Sequence, residues 1–197
     1  MKISPEDAIL LSQAIPNWVK NPETFCQQAL LFSPDEWQKD ILKDLNTPGV
    51  NRISIKSGQG VGKTGTVACC ALWFLFSHEN SRVVATAPTM RQLNDVLWPE
   101  ISKWMGNSPI LTRLMKWTKT YVYVKGAESR WFAVARTATK PENMQGFHEE
   151  NMLFIVDEAS GVDEQIMEAI LGTLSGVKYK ARISELNELG SSCFYLL

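Results

Sequence analysis

The sequence predicts an α/β protein in which a mainly parallel sheet is flanked by helices. After residue 50, short β-branched segments alternate with helical ones, the order that builds a parallel sheet. A glycine-rich turn joins the first of these strands to the first helix, and an apolar strand about ninety residues later ends in two carboxylates. Such turns and strand ends are where open α/β sheets bind ligands.

Length and composition place the chain among globular proteins. Its 197 residues suit one domain, and 45% apolar with 21% charged residues excludes a disordered chain. The 20 basic and 21 acidic residues give a net charge of −1, which excludes a globally basic nucleic-acid coat but allows a local basic patch. The four cysteines lack CxxC spacing, so we expect reduced core residues and not a zinc site or disulfides.

Neither a signal peptide nor a membrane span is predicted. Pro5, Glu6 and Asp7 precede the first short apolar stretch, which is unlike a signal peptide. The longest apolar run, residues 67–77, is far below the ~20 residues that a spanning helix needs. The expected location is the cytoplasm, that of the host cell if the protein is phage-encoded.

Residues 1–50 are predicted to form a helical lead-in to the sheet. A helix start is expected at Ser33, as N-cap, with Pro34 in the first turn and two acids after it. That helix should end at residues 47–49, which read Thr-Pro-Gly. Each of four prolines can begin or break a helix here: Pro5, Pro16, Pro22 and Pro34.

Residues 51–176 are predicted to form the core. Residues 64–77 are apolar nearly all round, as in a buried crossover helix, and residues 152–156 are typical of a strand buried on both faces. Two segments flanking Gly126 predict a hairpin. The predicted strands are 52–56, 82–87, 121–125, 130–135 and 152–156, and the helices are 64–77, 90–104 (with a possible kink at Pro99) and 163–174.

The glycine-rich turn is predicted to bind phosphate. Its glycines let backbone N–H groups point inward at phosphate oxygens, and the helix N-terminus adds partial positive charge. Lys63 would reach the β- and γ-phosphates, and the Thr64 hydroxyl would ligate Mg²⁺. The alternative is a turn that binds nothing. The predicted loop comprises Ser57 (where the usual motif has glycine), Gly58, Gln59, Gly60, Val61, Gly62, Lys63 and Thr64.

Two acids, Asp157 and Glu158, are the predicted partners of this loop. They follow the apolar strand 152–156, so they should lie at its C-terminal tip. Asp157 would hold magnesium alongside Thr64, and Glu158 would polarise the attacking water. Acids at the end of a strand are a weak signal alone, but together with a phosphate loop they predict ATP hydrolysis that uses Mg²⁺.

Further candidates rest on weaker signals. Gln38 precedes the loop by about twenty residues, where many motor ATPases place an adenine-reading glutamine; a surface glutamine is the alternative. Arg136 ends a strand and is a candidate charge-stabilising finger, or an ordinary exposed arginine. Residues 85–89 end the second strand, where helicase-like motors contact nucleic acid or transmit motion; a plain turn is the alternative.

Charge is unevenly distributed along the second half of the chain. Residues 101–140 contain eight basic residues and one acid, whereas residues 141–170 contain eight acids and neither Lys nor Arg. Either these are two solvated faces of opposite sign, or the basic stretch faces a polyanion beside an acidic catalytic edge.

The chain resembles the ATPase part of tailed-phage terminase large subunits. The resemblance covers roughly residues 30–176 and rests on WQ at 37–38, SGQGVGKT at 57–64, ATAPTMRQ at 85–92 and the block QGFHEENMLFIVDEASGVDEQIMEAILGTLSG at 145–176. It implies a P-loop NTPase with a RecA-like core of the additional-strand, catalytic-glutamate type. It also implies ATP-driven movement of double-stranded DNA, and as partners a portal protein, a small terminase subunit and a homo-oligomeric ring.

Residues 177–197 depart from that family. After residue 176 the resemblance leads one to expect a further strand, a polar coupling motif and a nuclease domain. The tail instead reads VKYKARISELNELGSSCFYLL, which suggests a truncation, a frameshift or a prophage remnant without nuclease activity. Three functions follow as hypotheses: a terminase packaging ATPase, a non-catalytic remnant that only binds nucleotide, and a helicase-like DNA-dependent ATPase.

Overall fold

Three helices precede the sheet in the computed structural model, which describes residues 5–50, 52–57, 60–137, 149–174, 183–187 and 192–196. Trp18 and Phe25 pack these helices against the rest of the chain. Both side chains are buried, and the Trp73 indole donates to the Trp18 carbonyl at 2.9 Å. The predicted helical lead-in is therefore built as expected. Its helices are α1 (Pro5–Lys20), α2 (Pro22–Ala29) and α3 (Glu36–Leu45).

Helix α3 begins later than the sequence suggested. Its N-cap is Asp35, not Ser33. The Asp35 N–H donates to Gln38 Oε1 at 2.7 Å, one half of a capping box. The start of α3 thereby orients Gln38.

Eight strands of the described residues form one mixed sheet. In chain order they are β1 (Arg52–Ser57), β2 (Arg82–Ala87), β3 (Met115–Trp117), β4 (Tyr121–Val124), β5 (Phe132–Thr137), β6 (Met152–Val156), β7 (Ile183–Asn187) and β8 (Ser192–Leu196). Their order across the sheet is β3-β4-β5-β2-β6-β8-β1-β7. Parallel pairs are β1–β7, β2–β5 and β2–β6, and antiparallel pairs are β1–β8, β3–β4, β4–β5 and β6–β8.

An additional strand separates the two strands that carry the predicted site. β8 lies between β1 and β6 and runs antiparallel to both, so Leu196 pairs with Ile53 on one side and Ile155 on the other. Strands β1 and β6 are consequently parallel to each other, and both end at the same edge of the sheet. Two strands from the 177–197 segment, β7 and β8, thus share this sheet.

Helices cover the two faces of the sheet. The following elements connect the strands: α4 (Lys63–Ser77), α5 (Met90–Gln92), a π-helical turn (Leu93–Leu97), α6 (Trp98–Gly106), α7 (Pro109–Leu114), a 3-10 turn (Ala159–Gly161) and α8 (Glu164–Leu174). The larger core packs α4 and α6 with the N-terminal helices on one face, here called the α4 face. A smaller core packs Ile166 and Ile170 of α8 against the other, the α8 face.

The predicted core elements are present, with two additions. Helix α7 and strand β3 were not predicted, because six and three residues are too few to show a period. The expected irregularity near Pro99 is a π-helical turn immediately before it, since proline lacks the N–H that would continue the α-helical ladder.

Two predictions about the core are confirmed for the described side chains, which do not include that of Cys193. Cys26, Cys69 and Cys70 are buried and free, and Trp73 is fully buried in α4. Within the described part of the chain, no helix combines the length and apolar character that a membrane crossing requires.

Candidate functional site

The glycine-rich loop joins β1 to α4 at the sheet edge. Gly60 and Gly62 have φ of +79° and +89°, a left-handed conformation that glycine adopts without strain. Val61 between them is exposed. Gly58, Gln59 and the side chain of Ser57 lie outside the described residues, so the outcome at the Ser57 substitution stays a prediction.

The first turn of α4 carries the predicted phosphate and metal ligands. Lys63 is only 6% exposed although it carries an ammonium group, and Thr64 beside it is half-buried. The backbone N–H and hydroxyl of Thr66 both donate to the Gly62 carbonyl at 3.1 Å, which fixes the start of the helix. Two side chains that the sequence assigned to ligand binding therefore project from a firmly anchored helix N-terminus.

Gln38 lies against this loop and not on the surface. It is 4% exposed, and its Nε2 donates to the Gly62 carbonyl at 3.4 Å. A Cβ added at Gly62 would stand 3.0 Å from that nitrogen, so the glutamine and the loop fit closely. The surface alternative is thus excluded, whereas adenine reading stays a prediction.

Asp157 is the buried member of the carboxylate pair. It is 6% exposed, and its N–H donates to the Thr86 carbonyl at 2.8 Å, which continues the β2–β6 ladder by one residue. Burial, and after it the charge of the adjacent Glu158, raise the pKa of Asp157 from 3.8 to about 6. The Glu158 N–H and the charge of Lys63 oppose this rise, which places Lys63 and Asp157 in one electrostatic environment.

The Glu158 side chain is exposed and contacts the segment that follows β2. Its backbone is left-handed, with φ 49° and ψ 48°, a conformation that costs a non-glycine residue roughly 1–2 kcal/mol. Gln92 Nε2 donates to Glu158 Oε2, and the Thr89 hydroxyl donates to Gln92 Oε1 at 2.8 Å. The two adjacent acids thus occupy different surroundings, as their predicted separate roles require.

Gln92 was not predicted as a site residue, and Thr89 was predicted only as part of residues 85–89, at the end of the second strand. A contact that spans 66 positions leaves no periodic signal in the sequence. Pro88 also meets this loop, since a Cβ added at Gly161 would lie 3.1 Å from its Cγ. The segment after β2 is therefore packed onto the loop that carries the carboxylates.

Three strands lie between β5, which carries Arg136, and β1, and one strand lies between β5 and β6; a role of Arg136 as a charge-stabilising finger stays a prediction. It pairs with Thr86 in the β5–β2 register, and its Nη2 donates to the Tyr121 hydroxyl at 3.0 Å. Four strand spacings separate β5 from β1, roughly 19 Å. Arg136 also lies in line with Val134, on the α8 face, whereas Lys63 belongs to the α4 face.

The basic stretch gathers at the opposite end of the sheet. Its described members include Lys103 on α6, Lys116 on the edge strand β3 and Lys125 at the hairpin, all exposed. Three exposed acids of the acidic stretch, Asp163, Glu164 and Glu168, lie in or next to α8. Both stretches therefore form surface patches at separate places.

The described side chains fit a magnesium ion that is bound together with a polyphosphate. Thr64 and Asp157 supply hard oxygen donors, and a divalent cation would relieve the repulsion between Asp157 and Glu158. Among the described residues no three His, Cys, Asp or Glu side chains converge into an all-protein cage. Magnesium typically takes one or two protein ligands and completes its shell with water and substrate phosphates.

Comparisons with known proteins agree with this geometry. A protein of Enterobacteria phage P7, described as a probable terminase large subunit, is 27% identical over 146 residues, which are 71% of this chain and 30% of that protein. The ATPase domain of the Thermus phage P74-26 large terminase matches with TM-score 0.57 and 20% identity, over 86% of this chain and 71% of that one. The HK97 bacteriophage large terminase matches with TM-score 0.63 and 19% identity, over 84% and 36%.

These findings confirm the predicted fold class and the resemblance to terminase large subunits. The structural likeness establishes a shared fold, and the chain spans less than a third of the length of its phage P7 relative. The family model for the AAA domain matches residues 50–183, more than half of the sequence, and includes β1, the glycine-rich loop and both carboxylates. The protein belongs to the AAA domain family, and it is similar in sequence to a probable terminase large subunit.

Proposed function

We propose that this chain is the ATP-binding and ATP-hydrolysing motor domain of a phage terminase large subunit, and that it drives DNA packaging. The observation that carries the proposal is the shared edge of β1 and β6. The buried Lys63 of the glycine loop shares an electrostatic environment there with the buried Asp157, and the exposed Glu158 follows Asp157 in the chain. The similarity to terminases supports the choice of DNA packaging over other ATP-driven work.

Nucleotide binding falls to the loop and α4. Backbone N–H groups and the ammonium of Lys63 would bind the β- and γ-phosphates, and Gln38 would contact adenine from its place beside Gly62. Thr64 and Asp157 would hold Mg²⁺, which would neutralise charge on the phosphate oxygens. The buried ammonium of Lys63 would then lie against the anionic phosphates of ATP.

Hydrolysis falls to Glu158. Water attacks the γ-phosphorus, the bond to the β–γ bridging oxygen breaks, and ADP leaves as the Glu158 carboxylate orients the water and accepts its proton. The hydrogen bond from Gln92 occupies one carboxylate oxygen and leaves the other for water. Arg136, on a strand about 19 Å from β1, would act as a charge-stabilising finger on the nucleotide of a neighbouring subunit.

Partners follow from the terminase assignment. The proposal includes double-stranded DNA at the basic surface near β3 and β4, a homo-oligomeric ring, a portal protein and a small terminase subunit. It places the chain in the host cytoplasm and assigns no nuclease activity to it.

Binding and turnover of ATP test the proposal. Lys63→Ala should abolish binding of ATP·Mg in titration calorimetry, because Lys63 serves the ligand and not the hydrophobic core. Lys43→Ala, at an exposed position of α3, is the control and should bind like wild type. Equal affinity of wild type and Lys63→Ala would refute nucleotide binding at this loop. Binding without phosphate release in a single-turnover assay would favour the non-catalytic alternative.

A further inference from the structure

A groove lies between α6 and the edge strand β3. Its cavity volume is about 510 Å³, and its walls include two tryptophans, a proline and the stems of two lysines. It opens on the α4 face, where α6 packs against α4. The residues of this groove are Asn94, Trp98, Pro99, Ser102, Lys103, Trp117 and Lys119.

The polar atoms of the two tryptophans are already bonded. The Trp98 indole donates to the Thr118 carbonyl at 2.9 Å, and the Trp117 indole donates to the Trp98 carbonyl at 3.3 Å. Trp98 is only 1% exposed, so the apolar ring surface of the groove belongs to the half-buried Trp117, and Lys103 and Lys119 are its cations. Both lysines are exposed, and Lys103 also contacts Glu100 at 3.1 Å.

Helix α8 carries a complementary stripe. Glu164, Glu168 and Leu171 are spaced by four and three positions, so they lie along one side of the helix, and all three are exposed. Leu171 is 38% exposed and ends this stripe, whereas Ile166 and Ile170 fill the core on the opposite side. An apolar side chain after two carboxylates matches an apolar groove with two ammonium groups.

We propose that the acidic stripe of α8 in one copy of this chain docks into the α6–β3 groove of a second copy. This rests on the proposed function, in which the chain works in a ring, and it names the surfaces that meet. The groove opens on the α4 face and the stripe lies on the α8 face, so each copy uses two different surfaces. Such head-to-tail contacts generate closed rings or open filaments.

Charge and shape favour a second copy over DNA as the occupant. DNA backbones are bound by hydrogen-bond donors. Both indole N–H groups of the groove are used internally, so that Lys103 and Lys119 are left as its charged donors. Bound DNA phosphates would also leave the apolar part of the groove in contact with water, whereas Leu171 would bury its exposed side chain there. Two of the lysines in the predicted DNA-facing stretch are thereby assigned to assembly.

Charge reversal on the full chain tests the contact by sedimentation velocity over a range of protein and salt concentrations. Wild type should associate as concentration rises and dissociate with salt, because salt screens surface charges. Lys103→Glu with Lys119→Glu should weaken association at least tenfold, and so should Glu164→Lys with Glu168→Lys. Lys20→Glu with Lys43→Glu, at exposed positions of the N-terminal helices, is the matched control.

Mixing separates docking from misfolding. Neither reversed variant should assemble alone, but an equimolar mixture should associate like wild type because each groove then meets a stripe of opposite charge. One chain carrying all four reversals should also recover. A wild type that stays monomeric, or reversed variants that do not recover on mixing, would overturn the proposal.

Two further readouts keep the alternatives apart. ATP·Mg binding should be the same in every variant, because no substituted residue lies at the nucleotide loop; loss of it in wild type would count against the proposed function and not against docking. If the groove-reversed variant loses DNA binding in a gel shift while its association is unchanged, the groove serves DNA and the docking proposal is wrong.

Discussion

Asp157 and Glu158 are neighbours in sequence, but they differ in every physical respect that matters for catalysis. Asp157 is buried beside the charge of Lys63 and has a pKa raised to about 6, whereas Glu158 is exposed, left-handed and bonded to Gln92. One extra residue of β2–β6 ladder followed by one left-handed residue produces this divergence. Backbone geometry alone can therefore give two adjacent carboxylates different surroundings.

The largest expected effect is the loss of hydrolysis rate when Glu158, the exposed acid of the pair, is replaced. Glu158→Gln should lower the single-turnover rate of ATP hydrolysis by about 10²–10⁴, the typical contribution of a general base. ATP·Mg affinity in calorimetry should change little, because Gln keeps the shape and loses only the basic oxygen. Hydrolysis at the wild-type rate would show that another group orients the water and would erase the contrast between the two acids.

Asp157→Asn probes the buried side, with opposite effects on binding and stability. Affinity for ATP·Mg should fall, since an amide binds magnesium poorly. Without metal, the raised pKa means that the folded chain holds the Asp157 proton more tightly than the unfolded chain. The penalty for ionising Asp157 is absent below about pH 4, grows as pH rises and is complete above about pH 6.

The same variant should therefore be more stable than wild type at pH 7.5, by roughly 1–3 kcal/mol, and equal to it near pH 4. Urea unfolding in the presence of EDTA at both pH values measures this difference. If wild type is instead more stable than Asp157→Asn at pH 7.5, the charge of Lys63 fully compensates the cost of burying the ionised Asp157 side chain.

Gly62→Ala tests how strictly the loop is held. The substitution forces alanine to φ +89° and places its Cβ 3.0 Å from Gln38 Nε2, so unfolding free energy should drop by about 1–3 kcal/mol. Gly172→Ala, in helix α8 with open space around its Cβ, is the control and should be neutral or stabilising by up to ~1 kcal/mol. Equal effects at both glycines would show that Gly62 is free to rearrange.

The smallest expected effect concerns Gln92, which donates a hydrogen bond to Glu158. Gln92→Ala removes one hydrogen bond to an exposed carboxylate, so the hydrolysis rate should fall by about tenfold or less, with ATP affinity unchanged. Thr89→Val should act in the same direction more weakly, since the Thr89 hydroxyl only orients Gln92. A raised rate in Gln92→Ala would mean that this contact restrains Glu158 in a resting position.

Periodic and local signals predicted most of the sheet and the nucleotide loop. Strand β6 and helix α4 are continuous apolar segments, and the glycine loop between β1 and α4 has a composition that few other structures require. The start of α3 was misplaced because Ser33 and Asp35 are both good caps, and the choice depends on the capping bond between Gln38 and Asp35.

Non-local contacts were beyond the reach of the sequence. The place of β8 between β1 and β6, the bond between Gln92 and Glu158, and the distance of Arg136 from the site all depend on which segments meet after folding. Short elements such as β3 carry too few residues to reveal their period. Prediction was therefore best where the determinants of structure lie within about fifteen residues of one another.

The position of β8 also sets an order of events during synthesis of the chain. Ile53 pairs with Leu196, a residue that the ribosome adds about 140 positions later, and β1 reaches β6 only through that strand. Pairings so distant in sequence form late, because a long loop must close before any contact rewards it. The helices and the glycine loop leave the ribosome first, but β6 with its two carboxylates is not yet joined to β1 through β8. We therefore expect that a nascent chain hydrolyses no ATP until the sheet is complete.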